Sequence, residues 1–191
     1  PFNEYAERLH SMGPLLNVAE VILFGLFMGH IGLALSTTAM NRQARNSRYG
    51  EKETKQGPFA LPGGGASGWM VVTGLIIAFF LVVHVVDMRI KADPFVDYEP
   101  ARTEESEGYN EYLAVRQVLT NWSTNWVYGI GLVALGIHLA HGFRSALQTL
   151  GLNHPRWNRL LDISGALFAW AIALGFFSVF GWVILTSGMS Q

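Results

Sequence analysis

The chain has 191 residues; 50% are hydrophobic, only 14% are charged, and the formal net charge is −1. A soluble domain is typically about a quarter charged, so this composition argues against a water-surrounded globule, and no basic stripe with interleaved aromatics invites nucleic acid. Zero cysteines exclude disulfides, thiolate zinc sites, iron–sulfur ligation and covalent C-x-x-C-H haem attachment.

A membrane helix needs about 20 mostly apolar residues. Four windows qualify, which predicts an all-α membrane protein with four transmembrane helices in one domain. The first spans about 15–39 and opens after Pro14, a residue suited to the first turn of a helix. A loop at about 40–67 follows, turn-rich from residue 57. The second span covers about 68–88. The loop at about 89–122 contains a stretch, 108–121, that predicts a short interfacial helix. The third span covers about 123–144, and the fourth, after a loop at about 145–161, covers about 162–187. Asp162 reads as the N-terminal cap of that last helix. Trp69, Trp122, Trp126, Trp157 and Trp182 lie near span ends, where amphipathic rings favour the membrane interface. There is no internal repeat.

Orientation follows the Lys/Arg bias. Arg42, Arg45, Arg48, Lys52 and Lys55 follow the first span, and Arg144, Arg156 and Arg159 follow the third. These are eight of the thirteen basic residues. The opposite side holds the other five, Arg8, Arg89, Lys91, Arg102 and Arg116, together with the acidic run from Asp93 to Glu111. The two basic loops are therefore expected in the cytoplasm, with both ends of the sequence outside.

Histidine inside hydrocarbon is costly unless something holds it, and His30, His84 and His138 all lie within spans. With a rise of about 1.5 Å per residue, His30 sits roughly 15 Å and His138 roughly 9 Å inside the cytoplasmic face. These two depths allow both imidazoles to reach one haem iron between helices. His84 lies near the outer end of its span and belongs to a second, outer site. Small residues near the pair (Gly25, Gly29, Gly32, Gly74, Gly131, Gly136, Gly142) would leave room for a flat cofactor, but they are equally ordinary in membrane helix packing. His141, one turn beyond His138, is a rival ligand or a propionate partner. Arg89 and Arg144 are further propionate candidates, or interfacial anchors that snorkel.

Glu20 is the acid well inside a span, and it is a candidate for quinone or proton chemistry or for a local hydrogen bond. His10, Ser11 and Asn17 lie on the same outer side and are candidates to line that pocket. Asp87 follows His84 and is a weak candidate for orienting it, because the spacing turns it to another helix face. His154 reads as solvated.

Taken together, VAEVILFGLFMGHIGLAL in span one, FLVVHVVDMR ending span two and GIHLAHGFRSALQTLGL ending span three make a recognisable set. With FNEYAERLHSMG before the first span and GLNHPRWNRL before the fourth, it resembles the single-chain, two-haem cytochrome b subunit of bacterial succinate dehydrogenases and fumarate reductases. The resemblance covers nearly the whole chain. It implies a five-span, haem-binding bundle with ligands on the first four spans, and this sequence starts just after the family's first span.

On that basis His30 and His138 match the ligands of the inner haem b. His84 matches one ligand of the outer haem b, whose partner lies on the family's first helix. That helix is expected on a part of the protein preceding Pro1. The resemblance further implies a quinone-reactive subunit, with menaquinone as the membrane carrier. It implies a flavoprotein and an iron–sulfur subunit as partners, lipid around the spans, and the bacterial cytoplasmic membrane as location. A cytochrome b of a hydrogenase or formate dehydrogenase, and a haem-free anchor or transporter, are the competing readings.

Overall fold

A computed structural model describes residues 2–44, 66–98, 110–152 and 154–187, without the side chains of 66–68. Most of the basic loop at 40–67, with Arg45, Arg48, Lys52 and Lys55, and much of the acidic run before Asn110 lie outside the described residues. Those described form six α-helices and no strand: α1 (Phe2–Ser11), α2 (Pro14–Gln43), α3 (Ala66–Val85), α4 (Glu111–Thr120), α5 (Trp122–Thr149) and α6 (Asn158–Ser187). A single π-helical turn, Val86–Ile90, prolongs α3.

Four helices are long and apolar enough to cross a membrane: Pro14–Gln43, Trp69–Ile90, Trp122–Thr149 and Asn158–Ser187. A 30-residue helix is about 45 Å long, more than the ~30 Å hydrocarbon layer. The polar ends therefore continue the helix into the head-group region. This is why α2 and α5 run several residues past the windows expected from hydropathy. It also corrects the capping role expected of Asp162. α6 begins a turn earlier, at Asn158, whose Oδ1 accepts the His154 backbone N–H at 2.9 Å.

The chain enters α2 through Gly13, whose φ of +51° suits a residue without Cβ. Pro14 then occupies the first helical turn, where its missing N–H costs nothing. At the other end of the sequence order, α4 and α5 are separated by Asn121 alone. Its Oδ1 accepts from the Ser123 backbone N–H and hydroxyl at 3.0 and 2.6 Å, and its amide donates to the Phe95 carbonyl. Thr124 donates to the Val118 carbonyl, and Asn125 to that of Leu119 at 3.1 Å. These bonds satisfy the carbonyls that α4 leaves open and hold the corner sharp.

Packing is uneven. α5 lies firmly against α6 and α3, whereas α2 meets α3 only lightly and buries none of its residues. Small residues carry the close contacts, as expected where lipid offers no hydrophobic drive between helices. A Cβ on Gly131 would stand 2.6 Å from Phe80 Cγ, and one on Gly136 would stand 3.2 Å from Ala173 Cβ. These two glycines therefore serve helix packing rather than a cofactor. Gly25, Gly29 and Gly32 of α2 meet nothing within 4 Å.

The best-buried cluster sits at the α4 end of the bundle. Val96, Tyr98, Ala114, Val118, Leu119, Tyr128 and Val183 converge there from four segments of the chain. α1 joins this end through α4: Asn3 donates to Asn110 Oδ1 at 3.0 Å and accepts the Tyr112 backbone N–H at 3.0 Å. Asn110 also caps α4 by accepting the Leu113 N–H.

Candidate functional site between the membrane helices

Two separate groups of functional side chains lie along the bundle. The first brings His30 of α2 to His138 of α5. Their ring centroids are 6.2 Å apart and the rings stand nearly perpendicular, at 82°. Two imidazoles sharing an axial metal, each with a metal–nitrogen bond of about 2 Å, place their centroids at roughly this separation. His138 is half-buried and His30 exposed. The Gly74 position lies 3.4 Å from His138 Cε1, so a side chain there would press on the ring.

Thr73 is matched to one tautomer of His138. The Thr73 hydroxyl carries one proton, which it donates back along α3 to the Trp69 carbonyl at 2.9 Å or the Met70 carbonyl at 3.2 Å. Its lone pair is then free to accept from His138 Nδ1–H, 3.1 Å away, in the tautomer that protonates Nδ1. With Nδ1 protonated, Nε2 presents a lone pair, the form that ligates a metal. Thr73 is itself buried, so this arrangement is shielded from water. Sequence reasoning missed Thr73. A threonine in an apolar helix gives no signal until the rotation of α3 against α5 is known.

The second group surrounds His84, in the last turn of α3. Its ring lies 5.6 Å from that of Phe80 and 5.9 Å from that of Tyr128. The Tyr128 hydroxyl lies 3.4 Å from His84 Nδ1. Tyr128 also faces Asp87. Asp87 thus faces the same tyrosine as His84, as residues three apart on a helix do, which corrects the expectation that Asp87 turns to another face. Tyr128 was not foreseen, because its position ten residues before His138 carries no pattern.

Glu20 and Arg89 are brought to each other. Arg89 Nε lies 3.1 Å from Glu20 Oε1, and Nη2 donates to Oε2 at 3.2 Å. This two-bond clasp is one of the few links between α2 and α3. Arg144 likewise pairs with Asp162, at 2.7 Å, tying α5 to α6. Both arginines expected at propionates are thus engaged with carboxylates. His141 is half-buried one turn beyond His138, outside the His30–His138 ring pair.

The remaining outer-side candidates make local contacts. His10 Nδ1 lies 2.8 Å from the Ala6 carbonyl, and Ser11 donates to the Arg8 carbonyl at 2.7 Å. Asn17 is exposed in the second turn of α2, and His154 is exposed. Among the described residues no set of three or more His, Cys, Asp or Glu side chains forms a metal cluster. No family model, no curated protein and no solved structure matches this chain. The protein is a multi-pass, all-α membrane protein with four long apolar helices.

Proposed function

We propose that this chain is a membrane-anchor cytochrome b subunit that carries electrons between an iron–sulfur subunit and quinone in a succinate:quinone oxidoreductase. The observation that carries the reading is the approach of His30 and His138 across α2 and α5, with Thr73 leaving Nε2 of His138 open. Those two histidines would hold the inner haem. His84 would hold the outer one, with its second ligand outside the described residues. When bound, a six-coordinate haem supplies one-electron transfer and offers no open position to oxygen or substrate.

The protein's own contribution is positional. α5 carries His138 toward one membrane face, α3 carries His84 toward the other, and the firm α3–α5 packing through Gly131 and Phe80 fixes the distance between them. The light contact of α2 with α3 leaves Gly25 and Gly29 facing open space beside His30, which suits a flat group lying against that helix. Glu20, held by Arg89 and partly open at the bundle surface, would exchange a proton with a quinol hydroxyl arriving from lipid. The basic loops face the cytoplasm in this reading, where a flavoprotein and an iron–sulfur subunit would dock. Succinate would be oxidised on the flavoprotein, and no residue here would touch it.

Purification of the native membrane complex tests this. A flavoprotein and an iron–sulfur subunit should accompany the chain, and its haem b should be reduced when succinate is added. Co-purification with a hydrogenase or formate dehydrogenase subunit would reassign the partners. A complex without haem would refute the reading.

A further inference from the structure

The most unusual polar group in the bundle is Asp87. It is 1% exposed and is one of the two largest side chains that are fully buried. Neither of its carboxylate oxygens makes a hydrogen bond of good geometry, yet the Asp93 carboxyl and the Tyr128 hydroxyl both face it. Among the described residues the titratable groups around it are Asp93 from the segment 91–98, Tyr98 from the same segment and Tyr128 from α5, with His84 one hydroxyl further on. The α4 and α6 side chains in the neighbouring cluster (Ala114, Val118, Leu119, Val183) are apolar. Lys91, the nearest cation in sequence after Arg89, reaches Glu111 at 2.6 Å. Arg89 itself is engaged with Glu20.

Two ionised carboxylates are acceptors only. Facing each other they repel, and Asp87 stays unpaired. One proton between them turns the same contact into a charge-assisted hydrogen bond and gives one of the two orphaned Asp87 oxygens a partner. Asp87 lies in the π turn. This turn displaces Val86–Ile90 from the α-helical path, and single π turns of this kind recur at functional sites. Tyr98, donating to the Asp87 carbonyl at 3.1 Å, and Phe95, whose N–H binds Asp93 Oδ1 at 2.7 Å, hold the segment carrying Asp93 over the turn.

We propose that Asp87 and Asp93 form a carboxyl pair sharing one proton at the α4 end of the bundle, joined to His84 through the Tyr128 hydroxyl. The pair is a proton-binding site distinct from Glu20. Its proton would offset the negative charge of an electron arriving at a group held by His84. The sharing of the proton follows from the two carboxyls alone; only its relevance to electron transfer rests on the function proposed above.

Infrared difference spectroscopy on the full-length protein in membranes tests it, with or without haem. At neutral pH the wild-type minus Asp93→Asn spectrum should show one protonated-carboxyl C=O band per chain that shifts in deuterated water. Asp87→Asn should remove the same band. Asp93 is on a partly exposed segment, so Asp93→Asn keeps the test open if Asp87→Asn fails to fold. Its melting midpoint confirms the fold. A folded Asp93→Asn protein that retains the band overturns the proposal. So does a wild-type protein lacking the band whose melting midpoint falls when cations are chelated, which would mean that a cation holds the pair.

Discussion

Replacing Thr73 with Val removes one hydroxyl while keeping the branched shape at a buried position on α3. With His138 protonated on Nδ1, that hydroxyl accepts from the ring N–H, 3.1 Å away. Its own donation to the Trp69 carbonyl is local to α3 and dispensable for packing. The variant leaves the imidazole N–H facing a methyl group. A net hydrogen bond is worth about 1 kcal/mol, and an orphaned buried donor costs about 1–3 kcal/mol. At 1.4 kcal/mol per factor of ten, the loss corresponds to about 10- to 100-fold weaker holding of a metal on Nε2. Losing a partner that orients a metal-bound histidine typically costs the same range.

The assay is transfer of haem from the detergent-solubilised protein to a soluble acceptor, followed by absorbance. Thr73→Ser, which keeps the hydroxyl, is the control and should resemble the wild type. If Thr73→Val retains haem as firmly as the wild type, or if Thr73→Ser loses it equally, the tautomer argument is wrong.

Other substitutions probe the scaffold. Gly131→Ala should lower the melting midpoint, because the new methyl would overlap Phe80; overpacking of this kind costs about 1–3 kcal/mol. Gly25→Ala, which meets nothing, should leave the melting midpoint of the haem-free protein unchanged. For the Glu20–Arg89 clasp, a double-mutant cycle with Glu20→Gln and Arg89→Gln should give a coupling of no more than about 1 kcal/mol, since both side chains are about half exposed. Glu20→Gln should also slow quinone-linked reduction of the haem far more than it lowers the melting midpoint. An unchanged rate would remove Glu20 from the proton path.

The four spans were legible because each holds some 20 apolar residues, and that signal needs no tertiary information. Their ends were less so. Hydropathy reports the hydrocarbon boundary, whereas hydrogen bonding carries α6 back to Asn158 and α5 on to Thr149. Asp162 was read as a cap for that reason and is instead the partner of Arg144. Depth along the helix, a one-dimensional quantity, was enough to bring His30 and His138 together.

Azimuth was not available in the same way. Thr73 beside His138, Tyr128 between His84 and Asp87, and Glu20 against Arg89 all depend on how the helices are rotated about their axes. α2, α3, α5 and α6 are apolar around nearly their whole circumference. Such helices carry little amphipathic stripe from which rotation can be read. The π turn at Val86–Ile90 was equally hidden, since no proline or glycine marks it.

The measurement that bears most directly on this account is a reduced-minus-oxidised absorbance spectrum of the purified membrane complex, taken for the wild type and for His138→Ala at equal protein concentration. The wild type should show a b-type haem signal, and His138→Ala should lose the component assigned to the His30–His138 pair while keeping the remainder. An identical spectrum in the two proteins, or no haem signal in the wild type, would contradict the assignment of these histidines as ligands.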